Sequence, residues 1–429
     1  MVEFNDNNEV LREERHRAIL AGLQTGGDIS YSMDELAGLA EAAGVEVAGQ
    51  MIQKKERPDT ALYFGKGKVE EIQEMCANME ADMVIFNDEL SGIQLRNLEE
   101  QLDVIIIDRT VLILDIFANR AISREGKLQV ELAQLQYRKP RLRGMGKSLS
   151  RAGSGIGTRG PGEKKLETDR RHIERRMDEI RKELEETRHN RSVQRSKRQK
   201  SGIPVAALVG YTNSGKSAIM NRLLAMGEKS DKSVLVEDML FATLDTAQRN
   251  ITLDSKHEFI LIDTVGFVSK LPHGLIKAFK ATLEEVSYAD LLIHVVDASY
   301  PDHDFHIQIT NKVLEEIGAA DKERLYVYNK MDLVDQEEGL MPSDQNTLFI
   351  SAKTGYNMDA LTEAIKAKLF SDRVSVRLLI PYERGDISAY LHEKCRIINV
   401  KHIPEGTEFE VELCPADFNR LEAYRIGVK

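Results

Sequence analysis

The chain has 429 residues, of which 42% are hydrophobic and 30% charged, enough apolar material for two to four domains with ordinary cores. Its 70 acidic and 59 basic residues give a formal net charge of −11, which excludes a uniformly basic nucleic-acid binder. Cys76, Cys395 and Cys414 stand far apart without a CxxC pair, and no run reaches the ~18 apolar residues of a membrane span. The expectation is a reduced, cytoplasmic protein with no disulfide scaffold and no membrane partner.

The first region extends to about Phe117. Strands are expected at Arg17–Leu23, Val45–Gln53, Met83–Phe86 and Val104–Ile107, with helices at Met33–Ala43, Lys68–Met79 and Ile93–Gln101. Short apolar strands alternating with helices imply a small α/β domain (residues 1–117) with a buried sheet. Gly65-Lys-Gly-Lys68 lacks Walker spacing and reads as a turn before a helix.

Residues 118–200 differ in character. Leu128, Leu132 and Leu135 recur at helical spacing, as do Ile173, Met177, Ile180 and Leu184, each an apolar stripe on a charged helix. Between them the stretch Arg141–Arg171 carries seven glycines from Gly144 to Gly162 and reads as a long loop. Two helices and this loop make a projecting hairpin. From Arg138 to Lys200 there are 21 Lys and Arg against 9 Asp and Glu, a surplus of 12 that leaves −23 for the rest of the chain. The basic charge is therefore focused. Flexible glycine mixed with arginine suits irregular RNA. Carboxylates such as Glu174, Asp178, Glu183 and Glu185 are expected to pair with arginines of their own helix.

Residues 201–371 hold the chemistry. A strand at Pro204–Val209 runs into Gly210-Tyr211-Thr212-Asn213-Ser214-Gly215-Lys216-Ser217, of the form GxxxxGK[ST], and a helix follows over Ala218–Leu224. Strand, glycine turn and helix N-terminus are the context of a phosphate-binding loop. Lys216 can reach the outer phosphates and Ser217 can offer its hydroxyl to Mg²⁺. Phe259–Ile262 leads into Asp263-Thr-Val-Gly266, where Asp263 can hold a Mg²⁺-bound water and the Gly266 amide can sense a γ-phosphate. Strands at Leu291–Val296 and Leu325–Tyr328 follow, the latter running into Asn329-Lys330-Met-Asp332. A carboxylate at Asp332 can accept from guanine N1–H and the 2-amino group, a donor pair adenine lacks, so the nucleotide is read as GTP or GDP. Asn329 is expected to brace the phosphate loop and Lys330 to lay its stem over the base. A strand at Leu348–Ile350 ends at Ser351-Ala352-Lys353, where the Ala352 amide can meet guanine O6.

Between these motifs lies Phe241-Ala-Thr-Leu-Asp-Thr246. A threonine here can complete a Mg²⁺ shell and be ordered by GTP; Thr243 is favoured, with Thr246 as the alternative. The expected catalytic set is Lys216, Thr243 and Gly266, the Mg²⁺ set is Ser217, Thr243 and Asp263, and Phe241 is counted with the residues at the nucleotide. The position after the switch glycine is Phe267, followed by Val268, and neither can orient water. Slow intrinsic GTP hydrolysis raised by a partner is expected. His273 is read as solvated or core, and His303 and His306 as a surface cap at a helix start.

The remaining residues, 372–429, read as a small α+β domain. Strands are expected at Ser375–Pro381, Cys395–His402 and Thr407–Leu413, and helices at Asp386–Glu393 and Pro415–Tyr424.

The motifs GYTNSGKS, FATLD, DTVGF and NKMD together resemble those of the HflX family of translational GTPases. The stretch LSRAGSGIGTRGPGEKKLETDRR resembles that family's Gly/Arg-rich loop, and Lys127–Leu142 resembles the helix before it. The resemblance implies a P-loop GTPase domain with an N-terminal α/β domain, a helical hairpin and a small C-terminal α+β domain. It implies a monomer that binds the 50S ribosomal subunit and 23S rRNA and dissociates stalled or stressed 70S particles. The loop residues it assigns to rRNA include Arg151, Gly155, Gly157, Arg159, Lys164 and Lys165. Other readings are an assembly or hibernation GTPase that splits nothing, and a regulatory GTPase without an RNA partner.

Overall fold

The computed structural model describes residues 16–141, 161–227, 240–241, 247–253, 257–270, 283–334 and 346–426. Strands β1 (Arg17–Gln24), β2 (Glu46–Lys54), β3 (Met83–Phe86) and β4 (Ile105–Asp108) form a parallel sheet in the order β2-β1-β3-β4. Parallel neighbours need crossovers. Helices α1 (Ser30–Ala42), α2 (Lys66–Met79) and α3 (Gly92–Leu102) supply them. Ser91 and Gln94 close a reciprocal capping box at the start of α3.

Directly after β4 comes α4 (Arg109–Arg120), whose first turn is capped by the Asp108 carboxylate accepting from the Val111 N–H at 3.0 Å. The sequence reading does not anticipate this helix, and the expected division at Phe117 falls inside it. Arg109, Thr110 and Leu112–Phe117 are all buried. A helix covered on nearly every side loses the polar stripe that marks a surface helix. Here the cover comes from α1, from the sheet, from the helix that follows and, at Phe117, from a second domain.

That domain is a six-stranded sheet ordered β10-β9-β8-β5-β7-β6. Its strands are β5 (Val205–Gly210), β6 (Ala247–Leu253), β7 (His257–Asp263), β8 (Leu291–Asp297), β9 (Arg324–Asn329) and β10 (Thr347–Phe349). Only β6, at the edge, runs antiparallel to its neighbour. Leu36, Leu39, Leu112, Ile116 and Phe117 of the first domain share one apolar core with Val209, Tyr211, Phe241, Ile262 and Phe267 of the second.

The hairpin is formed by α5 (Arg124–Arg141) and α6 (Pro161–Ser201). Leu128 and Leu132 pack on Met177 and Ile180, with Leu135, Ile173 and Leu184 at the margins. The stretch expected to be loop up to Arg171 is helical from Pro161 onward, because proline is well suited to a first helical turn and the residues after Gly162 favour helix. Ion pairs cross the hairpin from Arg176 to Glu131 at 2.7 Å and from Lys139 to Glu174 at 3.0 Å. Arg170–Glu174 at 3.1 Å and Arg181–Asp178 at 2.7 Å pair within the helix.

The C-terminal sheet is antiparallel, with β13 (Gly406–Leu413) between β11 (Val374–Ile380) and β12 (Arg396–Ile403). Helices α9 (Gly385–Lys394) and α10 (Pro415–Leu421) belong to the same unit, and Leu391 and Leu421 join the sheet in its core.

Candidate active site

The site is built on the C-terminal ends of β5, β7, β8 and β9, where ligands of open α/β sheets bind. The phosphate loop leaves β5 through Gly210 at φ +148° and enters α7 (Lys216–Met226) through Gly215 at φ +92°. A Cβ on Gly210 would lie 2.2 Å from the Val295 carbonyl oxygen, and one on Gly215 would lie 2.2 Å from Asn329 Nδ2. Both positions therefore need glycine for space as well as for backbone angle.

Lys216 opens α7 and is buried. Its Nζ donates to the carbonyl oxygens of Gly210 at 3.2 Å and Tyr211 at 2.7 Å. Burial lowers its amine to about 8, while the Asp263 carboxylate pulls the other way, so the charge survives at neutral pH. Ser217 Oγ donates to Asp263 Oδ2 at 2.5 Å. A hydroxyl and a fully buried carboxylate thus converge on one point. Hard oxygen donors of this kind fit Mg²⁺.

The segment after Asp263 is laced to the phosphate loop. Thr212 N–H donates to the Phe267 carbonyl at 2.7 Å, and Phe267 N–H donates to the Gly210 carbonyl at 3.2 Å. A Cβ on Gly266 would stand 2.5 Å from Thr212 Cα, so only glycine permits this approach. Phe267 and Val268 are buried in the shared core.

At the base end, Asn329 Nδ2 donates to the Ser214 carbonyl at 3.0 Å, and the Ala352 N–H donates to Asn329 Oδ1 at 2.9 Å. The Ala352 amide, expected to face guanine O6, is therefore engaged in fixing Asn329. Lys330 Nζ pairs with Asp297 at 2.8 Å. Ser351 Oγ donates to Asp332 Oδ1 at 2.6 Å and orients that exposed carboxylate. Lys353 is exposed beside them, and Asn213 sits at φ +57° at the tip of the phosphate loop.

Other expectations are corrected. Phe241, expected at the nucleotide, is buried and packs edge-on against Phe117 with ring centroids 4.6 Å apart; its N–H donates to Thr212 Oγ1 at 2.9 Å. An aromatic ring beside the first domain's apolar helix is more stable packed than exposed to a polar ligand. His303 and His306 are not the cap of α8 (His303–Glu316). Asp302 is, accepting from the Phe305 N–H at 3.2 Å. His306 is buried between two tyrosines, stacked on Tyr211 at 3.9 Å and on Tyr300 at 4.2 Å, with Nε2 paired to Tyr31 Oη at 2.7 Å. Burial pushes its imidazole down to about 4.

Thr243 and Thr246, His273, and the loop residues Arg151, Gly155, Gly157 and Arg159 lie outside the described residues. Lys164 and Lys165 are in the first turns of α6, without described side chains.

A buried polar cluster that the sequence did not signal joins the first domain to this site. Tyr211 Oη donates to Glu35, and the Ser269 N–H donates to Tyr211 Oη at 2.7 Å. Ser269 Oγ and Arg109 Nη2 also donate to Glu35. Arg109 Nη2 reaches the Ser269 carbonyl at 3.2 Å, and Nη1 reaches Asn87 Oδ1 at 3.0 Å. Burial, then Glu35, pushes the Tyr211 phenol far above its ordinary range, so it stays a donor. A charged residue in α1 and another opening α4 give no local hint that they meet across domains.

Residues 30–118 match the family described as GTP-binding GTPase N-terminal, 120–198 the GTP-binding GTPase Middle Region, and 205–330 the 50S ribosome-binding GTPase. The GTPase HflX of Caldanaerobacter subterraneus subsp. tengcongensis is 49% identical, over 98% of this chain and 96% of that protein. The GTPase HflX of Lacrimispora saccharolytica is 47% identical, over 92% and 93%. The GTPase HflX of Escherichia coli K12 is 40% identical, over 91% of each. Sharing that identity along nearly its whole length, and carrying a phosphate loop, a buried Asp263 and an NKMD tetrad at the ends of one sheet, the chain belongs to the HflX family of GTPases, which bind and hydrolyse GTP.

Proposed function

We propose that this GTPase binds the large ribosomal subunit through its hairpin and dissociates stalled or stressed 70S ribosomes, with hydrolysis stimulated by the ribosome. The observation carrying this reading is the surplus of 12 positive charges between Arg138 and Lys200, on a hairpin whose apolar seam is closed internally by Leu128, Leu132, Met177 and Ile180. With its apolar stripe satisfied, the hairpin has its outer faces left for a polyanion. The match of residues 205–330 to a family described as 50S ribosome-binding supports the same partner. The acidic remainder limits indiscriminate nucleic-acid binding and directs contact to the hairpin edge.

Within the site, residues Gly210–Ser217 take the phosphates, Asn329, Lys330 and Asp332 the guanine end, and Ser351–Lys353 its outer edge. Ser217, Asp263 and Thr243 would hold Mg²⁺, which when bound neutralises charge on the phosphate oxygens. The Gly266 amide reads the γ-phosphate. The chain works as an N-terminal α/β unit, a hairpin, a GTPase unit and a small C-terminal unit, in a cytoplasmic monomer.

The test mixes purified protein with 70S ribosomes and GTP or a non-hydrolysable analogue, following light scattering and phosphate release. The expected result is a scattering drop with either nucleotide and faster hydrolysis with ribosomes. Stimulated hydrolysis without a scattering drop beyond the no-protein control favours an assembly or hibernation factor. No stimulation removes the ribosome from the reading.

A further inference from the structure

We infer that Glu35 and Arg109 are positioning residues for GTP hydrolysis: from the N-terminal domain they fix the backbone that follows the switch glycine. The inference rests on the proposed assignment of the nucleotide site and adds residues from another domain to it.

Three observations meet at one place. First, the residue after Gly266 is Phe267, which is buried in the core shared by the two domains and has no group to orient water. A water ordered by main-chain groups at that side of the γ-phosphate would depend on where Val265–Phe267 lies. Second, that main chain is laid directly on the phosphate loop through Thr212 N–H to Phe267 O at 2.7 Å and Phe267 N–H to Gly210 O at 3.2 Å. Third, its downstream end is held from outside the GTPase sheet. Ser269 gives its N–H to Tyr211 Oη at 2.7 Å, its Oγ to Glu35, and its carbonyl to Arg109 Nη2 at 3.2 Å.

All of these groups are buried, and Glu35 and Arg109 form an ion pair with each other. A buried network of hydrogen bonds built around an ion pair is costly to rearrange and so favours a single geometry. It is secured further by Arg109 Nη1 on Asn87 Oδ1 at 3.0 Å, which anchors the guanidinium to the end of β3. Tyr211 is tied in by two directions, its hydroxyl on Glu35 and its ring stacked on His306. Reactive geometry tolerates little displacement, so a loosened segment should slow the chemical step while ground-state binding, carried by the phosphate loop and the NKMD tetrad, persists.

The experiment uses the full chain and measures kcat and KM for GTP, GDP affinity and thermal midpoint. Glu35→Gln is the direct variant, but it leaves the Arg109 charge unpaired in the interior and can cost folding. The double variant Tyr211→Phe with Ser269→Ala removes only two hydroxyls and strands no charge. The expected result for the double variant is a fall in kcat of about tenfold with KM and GDP affinity within about twofold. Its thermal midpoint should fall, because the buried Glu35 carboxylate loses two donors and the Ser269 N–H its acceptor, so kinetics are read well below that midpoint; Glu35→Gln, where folded, should show the same split. An unchanged kcat in the folded double variant overturns the inference and reduces the cluster to interdomain packing. A parallel loss of GDP affinity also overturns it, since that would report a distorted phosphate loop. Lys216→Ala is the control: if it hydrolyses GTP like the wild type, the site assignment itself fails and the inference with it.

Discussion

Asn329 ties the base end of the site to the phosphate end by donating its Nδ2 to the Ser214 carbonyl at 3.0 Å, while its Oδ1 accepts from Ala352. The Asn329→Ala variant strands both partners in the interior. Each unsatisfied buried group costs on the order of 1–3 kcal/mol, so GTP and GDP affinity should fall together by roughly thirtyfold. Titration with a fluorescent GDP checks this. Affinity within twofold of the wild type would show that the brace is dispensable.

Asp332 is exposed and oriented by Ser351, ready to accept two hydrogen bonds. Asp332→Asn places an amide N–H₂ where guanine presents donors. GDP affinity should drop by about a hundredfold or more, since two hydrogen bonds to a carboxylate are lost at roughly 1.5–3 kcal/mol each. Xanthosine diphosphate, with a 2-oxo group in place of the amine, should bind the variant better than GDP does. Equal GDP affinity in variant and wild type would sink the assignment of this residue to the base.

His306 carries a pH prediction. Burial holds its imidazole down to about 4 in the folded protein, below the ordinary value of about 6.5. The unfolded chain therefore takes up the proton first as pH falls, and stability drops progressively from about pH 6.5 to about 4 and then levels. The loss is on the order of 2–3 kcal/mol. His294, lowered to about 3 by burial, extends the slope. Thermal melts of the wild type and His306→Phe, which keeps the ring between Tyr211 and Tyr300, should show a shallower slope in the variant. Parallel slopes would mean that the ring does not titrate this way.

Reversing charge at Arg151 and Arg159 should weaken ribosome binding and leave GDP affinity untouched. Each lost phosphate contact removes about 0.7–0.9 from the slope of log K against log salt, so the double variant should flatten it by about 1.5. Co-sedimentation with 50S subunits across a salt series measures both. An unaltered slope would rule the two arginines out as RNA contacts.

What the sequence disclosed and what it concealed divide along physical lines. The β5 turn and the Asp263 and Asn329 strand ends were legible because the motif residues sit in consecutive positions at the ends of short, mostly apolar strands. β6 was not, since Ala247–Leu253 is half polar and lies at the sheet edge. α4 was not, since Leu112–Phe117 is buried without a polar stripe. Glu35 and Arg109 meet across 74 residues and His306 meets Tyr31 across 275, separations no local pattern encodes.

Because Phe117 of α4 and Leu36 and Leu39 of α1 share a core with Tyr211, Phe241 and Phe267, the N-terminal domain and the GTPase sheet are packed together along an apolar face. A cut after Phe117 would sever a helix, and residues 201–371 expressed alone would expose the plate formed by Tyr211, Phe241 and Phe267 to water. Such an isolated fragment should self-associate, and a fold in which the catalytic module cannot shed its neighbour also cannot be recombined freely with other partners.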